Sequence, residues 1–358
     1  RYPQSNGLMG LIHAPWWWKL NDDERHTARI LGDLGYRTAL VGFNHIDWDE
    51  SRLGYREILS KKKLATETVR ETIKIIDRAA DEEQPFFAKV GFTEVHRPFR
   101  NGADRSRGVD IPGWLQDTPQ TRDDFANFQA TIRYFDARVG EILDALEASA
   151  VADDTLVIMT SDHGIPYVGA KWTCRRAGIS VPFIAYQPGT AFAGGGTFPE
   201  IMSHVDVLPT ILDYLGEEIP QSIQGCSFLD VIRGDGAVPP RTAAFAQYTP
   251  EMKRDNESRC VITDRYHLIR YFQAGRAVSY PVDIHPQDFA AHVLRARVSS
   301  PRPFTQLYDI HDDPDELHDL SGDETYADTI RDLSRQLLEW MRSVNDPLLD
   351  GPVHTPYY

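Results

Sequence analysis

Thr155-Leu156-Val157-Ile158-Met159-Thr160-Ser161-Asp162-His163-Gly164 decides how this chain is read. Apolar and β-branched residues bounded by Ser, Asp and Gly predict a strand over Thr155 to Thr160. That strand ends on a carboxylate and an imidazole. Working outward, Arg37 to Phe43 and Phe86 to Phe92 read as buried strands and Val181 to Tyr186 as a further strand. Helices alternate with them. Asn21 or Asp22 caps one that runs to about Leu34, where Gly35 ends it. A second covers Leu64 to Ala80. A third runs from about Arg122 to Ala148, with Phe128, Ile132, Phe135, Val139, Ile142 and Leu146 on one apolar face. A fourth spans Asp206 to Leu215. This alternation predicts an α/β fold, with a mixed, mostly parallel central sheet flanked by helices.

The pattern changes near Gly234. Ala243–Gln247, Arg259–Thr263, His267–Phe272 and Gln306–Ile310 read as short strands, and a last helix runs from about Tyr326 to Val344. The expected division is an α/β unit over 1–234 and a C-terminal subdomain over 235–358, a small antiparallel sheet packed with one helix. Residues 1–22 read as irregular, with Pro3, Gly7, Gly10 and Pro15 as breakers. Trp16, Trp17 and Trp18 are expected to form a lid over the core, in preference to a sugar-stacking platform.

The 358 residues are 41% hydrophobic and 25% charged, with a formal net charge of -15. That balance suits a globular protein. An acidic surface argues against a nucleic-acid groove and a polybasic membrane dock, but it leaves room for one locally positive pocket. No apolar run is long enough to cross a bilayer. Cys174, Cys226 and Cys260 are odd in number and far apart, which argues against a disulfide framework or a zinc site. The chain opens on Arg1 rather than Met, so its compartment is left open, as is homo-oligomer formation.

Three candidate segments lie just past the carboxyl ends of predicted parallel strands, where open α/β sheets bind ligands. They are Gly42-Phe43-Asn44-His45, Thr93 to Phe99 with His96, and Ser161-Asp162-His163-Gly164; Lys171 follows in the next loop. Singly, each has a structural explanation: a hydrogen-bonding His, a solvated Lys, or a turn in which Asp bonds its own backbone and Gly takes positive φ. Together they gather a carboxylate, imidazoles and an ammonium. Asp162 suits a hard divalent cation, and His163 is a ligand to a softer metal or a neighbour. Lys171 and a His could hold an oxyanion and protonate its leaving group.

At this point the sequence resembles a family, the sulfatases of the alkaline phosphatase superfamily. Thr155 to Gly164 looks like their metal-site strand, followed by Lys171, Gly178 and Val181-Pro182. Pro85-Phe86-Phe87 through His96-Arg97-Pro98-Phe99 resembles their second motif, which places sulfate contact on His96. Gly35 through His45 resembles the first and places an active-site His at His45. Ser203 to Leu215, Gln224-Gly225, Thr263-Asp264-Arg265-Tyr266 and Leu307-Tyr308-Asp309 also look familial. Tyr280-Pro281-Val282-Asp283-Ile284 and Asp162-His163-Gly164-Ile165-Pro166 are similar to the heparan N-sulfatase branch.

The resemblance implies His45, His96 and Lys171 in catalysis, His96 and Lys171 on the substrate, and Asp162 with His163 at the metal. It implies one divalent cation, calcium first, with magnesium or manganese as alternatives. It implies a small anionic sulfated substrate, a sulfated sugar among the choices. Three departures stand out. Phe43 occupies the place of a family Lys, so one sulfate-binding cation is missing or supplied from elsewhere. Thr93 stands where the family often has His. No cysteine here lies in a Cys/Ser-x-Pro-x-Arg motif, the source of the family's formylglycine nucleophile, and the paired aspartates of its first metal strand are absent. The expectation is that the nucleophile lies upstream of Arg1 and that these residues alone are inactive. The alternatives are a phosphodiesterase or phosphonate monoester hydrolase of the same superfamily, and a non-catalytic binding protein on this fold.

Overall fold

The computed structural model describes every residue except 15, 61–63, 235–237, 250–255, 276–279, 282, 286–287, 289–292, 295–300 and 357–358. Pro15, Val282 and the opening of the C-terminal unit at 235–237 therefore lie outside the described residues.

The chain opens with one short helix, α1 (Pro3–Asn6), within a stretch expected to be irregular. Helix α2 (Thr27–Asp33) begins later than the sequence suggested. Its cap is His26, whose side chain accepts from the Ala28 N–H. Asn21 is engaged elsewhere: its N–H and its side-chain amide bind the carbonyls of Asn6 and Ser5, pinning α1. Strand β1 (Arg37–Gly42) follows, and Thr38 to Val41 are all buried. Next come β2 (Glu57–Leu59), which the sequence reading missed, α3 (Ala65–Asp81) and β3 (Phe86–Gly91). The three strands form a parallel sheet in the order β2-β1-β3, with Leu40 opposite Ile58 and Lys89.

Helix α4 (Pro119–Glu147) starts three residues before Arg122. Thr118 caps it by accepting the Thr121 N–H at 3.1 Å, and Pro119 sits in the first turn, where no N–H is needed. Strand β4 (Val157–Thr160) leads through the short helix α5 (Arg176–Ile179) to β5 (Phe183–Tyr186). β4 and β5 pair antiparallel, Met159 opposite Ile184, as a separate two-stranded sheet. The expectation that all three strand-end segments follow parallel strands is thus met for β1 and β3 and not for β4. Period-two patterning fixes which residues share a face, but it does not name the partner strand.

Helices α6 (Val207–Tyr214) and α7 (Leu229–Arg233) lead to an antiparallel sheet, β6 (Ala243–Tyr248), β7 (Ser258–Thr263), β8 (Tyr266–Tyr271) and β9 (Thr305–Asp309), in that order. Helix α8 (Ala327–Ser343) lays Leu333, Leu337, Trp340 and Met341 against Val261, Leu268 and Leu307 of this sheet. Its apolar positions recur at helical spacing, so one face is buried and the other stays charged.

Between the two smaller sheets runs a cleft of about 4180 Å³, lined along β3 and β4 and along one face of α4. It explains two further differences from expectation. β3 is half-buried along its whole length instead of buried. The apolar face of α4 exists, but only its ends are covered: Phe128 and Leu146 are buried, Ile132 is 39% exposed, and Phe135, Val139 and Ile142 are half-buried.

Candidate active site

Glycine geometry brings the first two segments together. Gly42 closes β1 at φ 79°, and a Cβ there would lie 2.2 Å from the Gly91 carbonyl oxygen. Only Gly allows β1 and β3 to end this close together, so the loops that follow leave side by side. His45 packs against Phe43 and against His13, with ring centroids 4.4 and 5.2 Å apart. His13 in turn meets Trp16. Of the tryptophan cluster only Trp16 is buried as a lid would be; Trp17 is exposed and lies against Trp48.

His96 projects from the loop after β3. Its neighbour Arg97 is buried and holds that loop in place. The Arg97 guanidinium binds both oxygens of Asp124 on α4, at 3.0 and 2.5 Å, and donates to the Pro166 carbonyl at 3.0 Å. Fork-on-carboxylate pairing of this kind sets direction as well as distance. His96 Nδ1 donates to the Arg97 carbonyl at 2.7 Å, so the neutral ring presents a lone pair at Nε2. Lys171 Nζ donates to that Nε2 at 3.2 Å and to Asp283 Oδ2 at 2.9 Å. Lys171 is itself buried.

The Asp162-His163-Gly164 turn is partly the local turn that its residues allow. Asp162 Oδ1 accepts the His163 N–H at 3.0 Å. Gly164, however, has no positive φ. It is glycine because a Cβ would fall 1.8 Å from the Ala177 carbonyl oxygen, where the turn presses on α5. Its N–H donates to the Gly178 carbonyl at 2.9 Å. His163 Nδ1 donates to the Gly164 carbonyl at 2.7 Å, leaving Nε2 3.6 Å from Asp162 Oδ2. A carboxylate oxygen and an imidazole lone pair thus converge, as a metal's ligands would. Asp162 is 82% exposed in its side chain, and among the described residues no group of three or more His, Cys, Asp or Glu converges on a metal position. These two donors fit as part of a divalent-cation site, not as a whole one.

His45, His96, Asp162, His163 and Lys171 all line the one cleft. So do four groups to which the sequence reading gave no role in the site: His13, Lys89, His204 and Asp283. Lys89, on β3, donates to the Phe43 carbonyl. Burial pushes its ammonium pKa down, against the opposing charges of Asp162 and Glu50. His204 bonds Thr160 Oγ1 at 2.9 Å through Nε2, and burial lowers its pKa too, with the Asp162 charge opposing. The local hints were a charge at an apolar strand position, Lys89, and the family-like segments Ser203 to Leu215 and Tyr280 to Ile284 that carry His204 and Asp283. None of the three cysteines lines the cleft. Cys174 and Cys260 are fully buried in a core with Ile269, Tyr271 and Tyr308, and Cys226 lies 3.6 Å from Arg241 Nη2.

A parallel sheet, a separate antiparallel pair and a cleft carrying ammonium, imidazole and carboxylate groups describe an α/β protein with a polar site able to hold an anion. A family model described as Sulfatase matches residues 1–217, and one described as N-sulphoglucosamine sulphohydrolase, C-terminal, matches residues 171–292. The chain belongs to the sulfatase family, hydrolases of sulfuric esters. It is 27% identical to an ulvan-active sulfatase of Formosa agariphila, over 99% of this chain and 71% of that protein. It is 24% identical to the N-sulphoglucosamine sulphohydrolase of Homo sapiens, over 97% of this chain and 79% of that protein. Its fold is similar to that of a Bacteroides fragilis sulfatase structure, with a TM-score of 0.75, 19% identity, and coverage of 99% of this chain and 85% of that one.

Proposed function

We propose that the protein hydrolyses a sulfate ester or sulfamate of a sulfated sugar, with the anion held in the cleft by Lys171 and His96. The observation that carries this reading is the 3.2 Å contact between Lys171 Nζ and His96 Nε2, in the cleft that Asp162 and His163 also line. An ammonium has three N–H donors and an imidazole one exchangeable proton, so the pair can bind sulfate oxygens and hand a proton to the leaving oxygen or nitrogen. The transferring group stays anionic throughout, so placing positive charge beside it is the largest contribution these residues make. His45, braced between Phe43 and His13, is assigned to proton transfer during sulfate release.

Asp162 and His163 are assigned to one divalent cation, calcium by preference since carboxylate oxygen is the harder donor here. Such a cation supplies charge to polarise sulfate oxygens. The nucleophile is assigned to a formylglycine, and no Cys/Ser-x-Pro-x-Arg motif that would supply it lies within these 358 residues. The human relative's name and the C-terminal family match support an amino-sugar sulfate as the substrate class.

The test compares the rates of the intact protein on a sulfate ester, a sulfamate and a phosphodiester. Sulfate or sulfamate turnover should exceed phosphodiester turnover at least tenfold, about 1.4 kcal/mol of selective stabilisation. A preference for the phosphodiester would hand the assignment to the superfamily's phosphodiesterases and phosphonate hydrolases. Dialysis against a chelator should abolish turnover, and calcium should restore it.

A further inference from the structure

Asp283 comes from the chain between β8 and β9, 112 residues beyond Lys171, yet it reaches the Lys171 ammonium in the cleft. We propose that Asp283 is a positioning residue for the Lys171–His96 pair, and that its charge limits how tightly the cleft holds the released anion. The proposal rests on reading the cleft as a sulfate site.

The geometry is that of a shared clamp. Asp283 Oδ2 accepts from Lys171 Nζ at 2.9 Å and lies 3.7 Å from His96 Nε2. Lys171 and Asp283 are 8% and 13% exposed in their side chains, so the pair is little screened by water. Lys171 has three N–H donors. His96 fixes one and Asp283 a second, which leaves the third for a ligand of the cleft. Without Asp283, the four-carbon stem of Lys171 would be free to rotate about its single contact with His96.

Asp283 is itself held firmly. Tyr280 packs against the cluster of Leu115, Phe125, Phe128, Tyr167 and Val168, Ile284 is buried, and the Ile284 N–H closes a turn on the Pro281 carbonyl at 3.0 Å. An ion pair that served only to pin this segment would be expected to satisfy both carboxylate oxygens. Here Oδ1 is buried with no hydrogen-bond partner among the described residues. A carboxylate kept at that cost beside an anion site has a second consequence: it cancels the Lys171 charge, so a doubly charged product meets less net attraction.

The test uses the full-length protein with Asp283→Asn, Asp283→Ala and Asp283→Glu. The readouts are kcat and KM on 4-nitrophenyl sulfate, affinity for inorganic sulfate by calorimetry, and the thermal midpoint. Asn keeps an acceptor and removes the charge, so inorganic sulfate should bind about fivefold tighter. Ala removes the anchor, so kcat should fall at least about tenfold with KM changed less than about threefold. Glu should recover part of the kcat lost in Ala. Sulfate affinity unchanged in Asp283→Asn, or kcat within about twofold of the parent in Asp283→Ala, overturns the proposal. If Asp283→Ala does not fold, Asp283→Asn decides by the sulfate measurement. A parent protein that neither turns over the ester nor binds sulfate removes the sulfate reading itself, and the proposal with it; an active parent with indifferent variants removes only the proposal.

Discussion

Lys171 and Gly164 show how much a single residue carries in this site. Lys171 is a buried ammonium whose two contacts come from other parts of the chain, His96 and Asp283. Replacing it by Ala removes the charge that the anion would meet, and turnover should fall by about a hundred- to a thousandfold. Lys171→Arg should not restore it, because a planar guanidinium cannot keep both contacts from the same place. Near-normal turnover of either variant would remove Lys171 from the site. Gly164 is a steric requirement. Ala there puts a carbon 1.8 Å from the Ala177 oxygen, so α5 or the metal-site turn must move. Gly164→Ala should cost about 1–3 kcal/mol in urea unfolding, with activity lost beyond what the stability change explains. Strand-end positions such as His45, His96 and Asp162 were legible because local pattern locates them. Asp283 stood in a family-like segment, Tyr280 to Ile284, and Lys89 in a predicted strand, but neither position carries a local signature of the side chains it meets.

Elements make a different kind of prediction. Helix α2 begins at a histidine cap, and the cap works only while His26 Nδ1 has a lone pair to accept the Ala28 N–H. Burial lowers the His26 pKa from 6.5 to about 4, with the Lys89 charge adding to it. The folded protein therefore disfavours protonation relative to the unfolded chain. The stabilisation is present above pH 6.5 and is lost as pH falls towards 4, up to about 3 kcal/mol. His26→Asn caps without titrating, so its urea midpoint should vary less with pH across that window; parallel pH slopes for parent and variant would reject the cap as their source. The same helix shows the limit of local reading. Asn21 and Asp22 are good capping residues by type, but Asn21 is committed to α1 by bonds to Asn6 and Ser5. The beginning of α4 moved to Pro119 for the converse reason, a Thr-Pro start that the apolar spacing alone did not reveal.

At the scale of the whole molecule, buried charge ties the end of α8 to the C-terminal sheet and to the start of the chain. Arg259 and Asp346 are fully buried and bound twice, at 2.6 and 3.0 Å, and Gln4 adds a bond to Asp346 at 2.8 Å. Tyr2 packs edge-on against Trp340 of α8. Asp346→Ala would leave a guanidinium buried without its partner, and should cost about 3–5 kcal/mol in equilibrium unfolding. A loss below about 1 kcal/mol would show that the pair is solvated in solution.

By itself the sequence determined the α/β character, the order of the principal elements, the family likeness, and five residues that the fold places on one cleft. Those follow from periodicity and from motifs a few residues long, which local chemistry encodes. Tertiary structure alone decided that β4 pairs antiparallel with β5, that β3 and α4 face a cleft instead of a closed core, and that Asp283 meets Lys171, in the loop after the Asp162-His163-Gly164 turn, across 112 residues. Pairing partners and long-range side-chain contacts depend on how elements stack in space, and spacing along the chain does not carry that information.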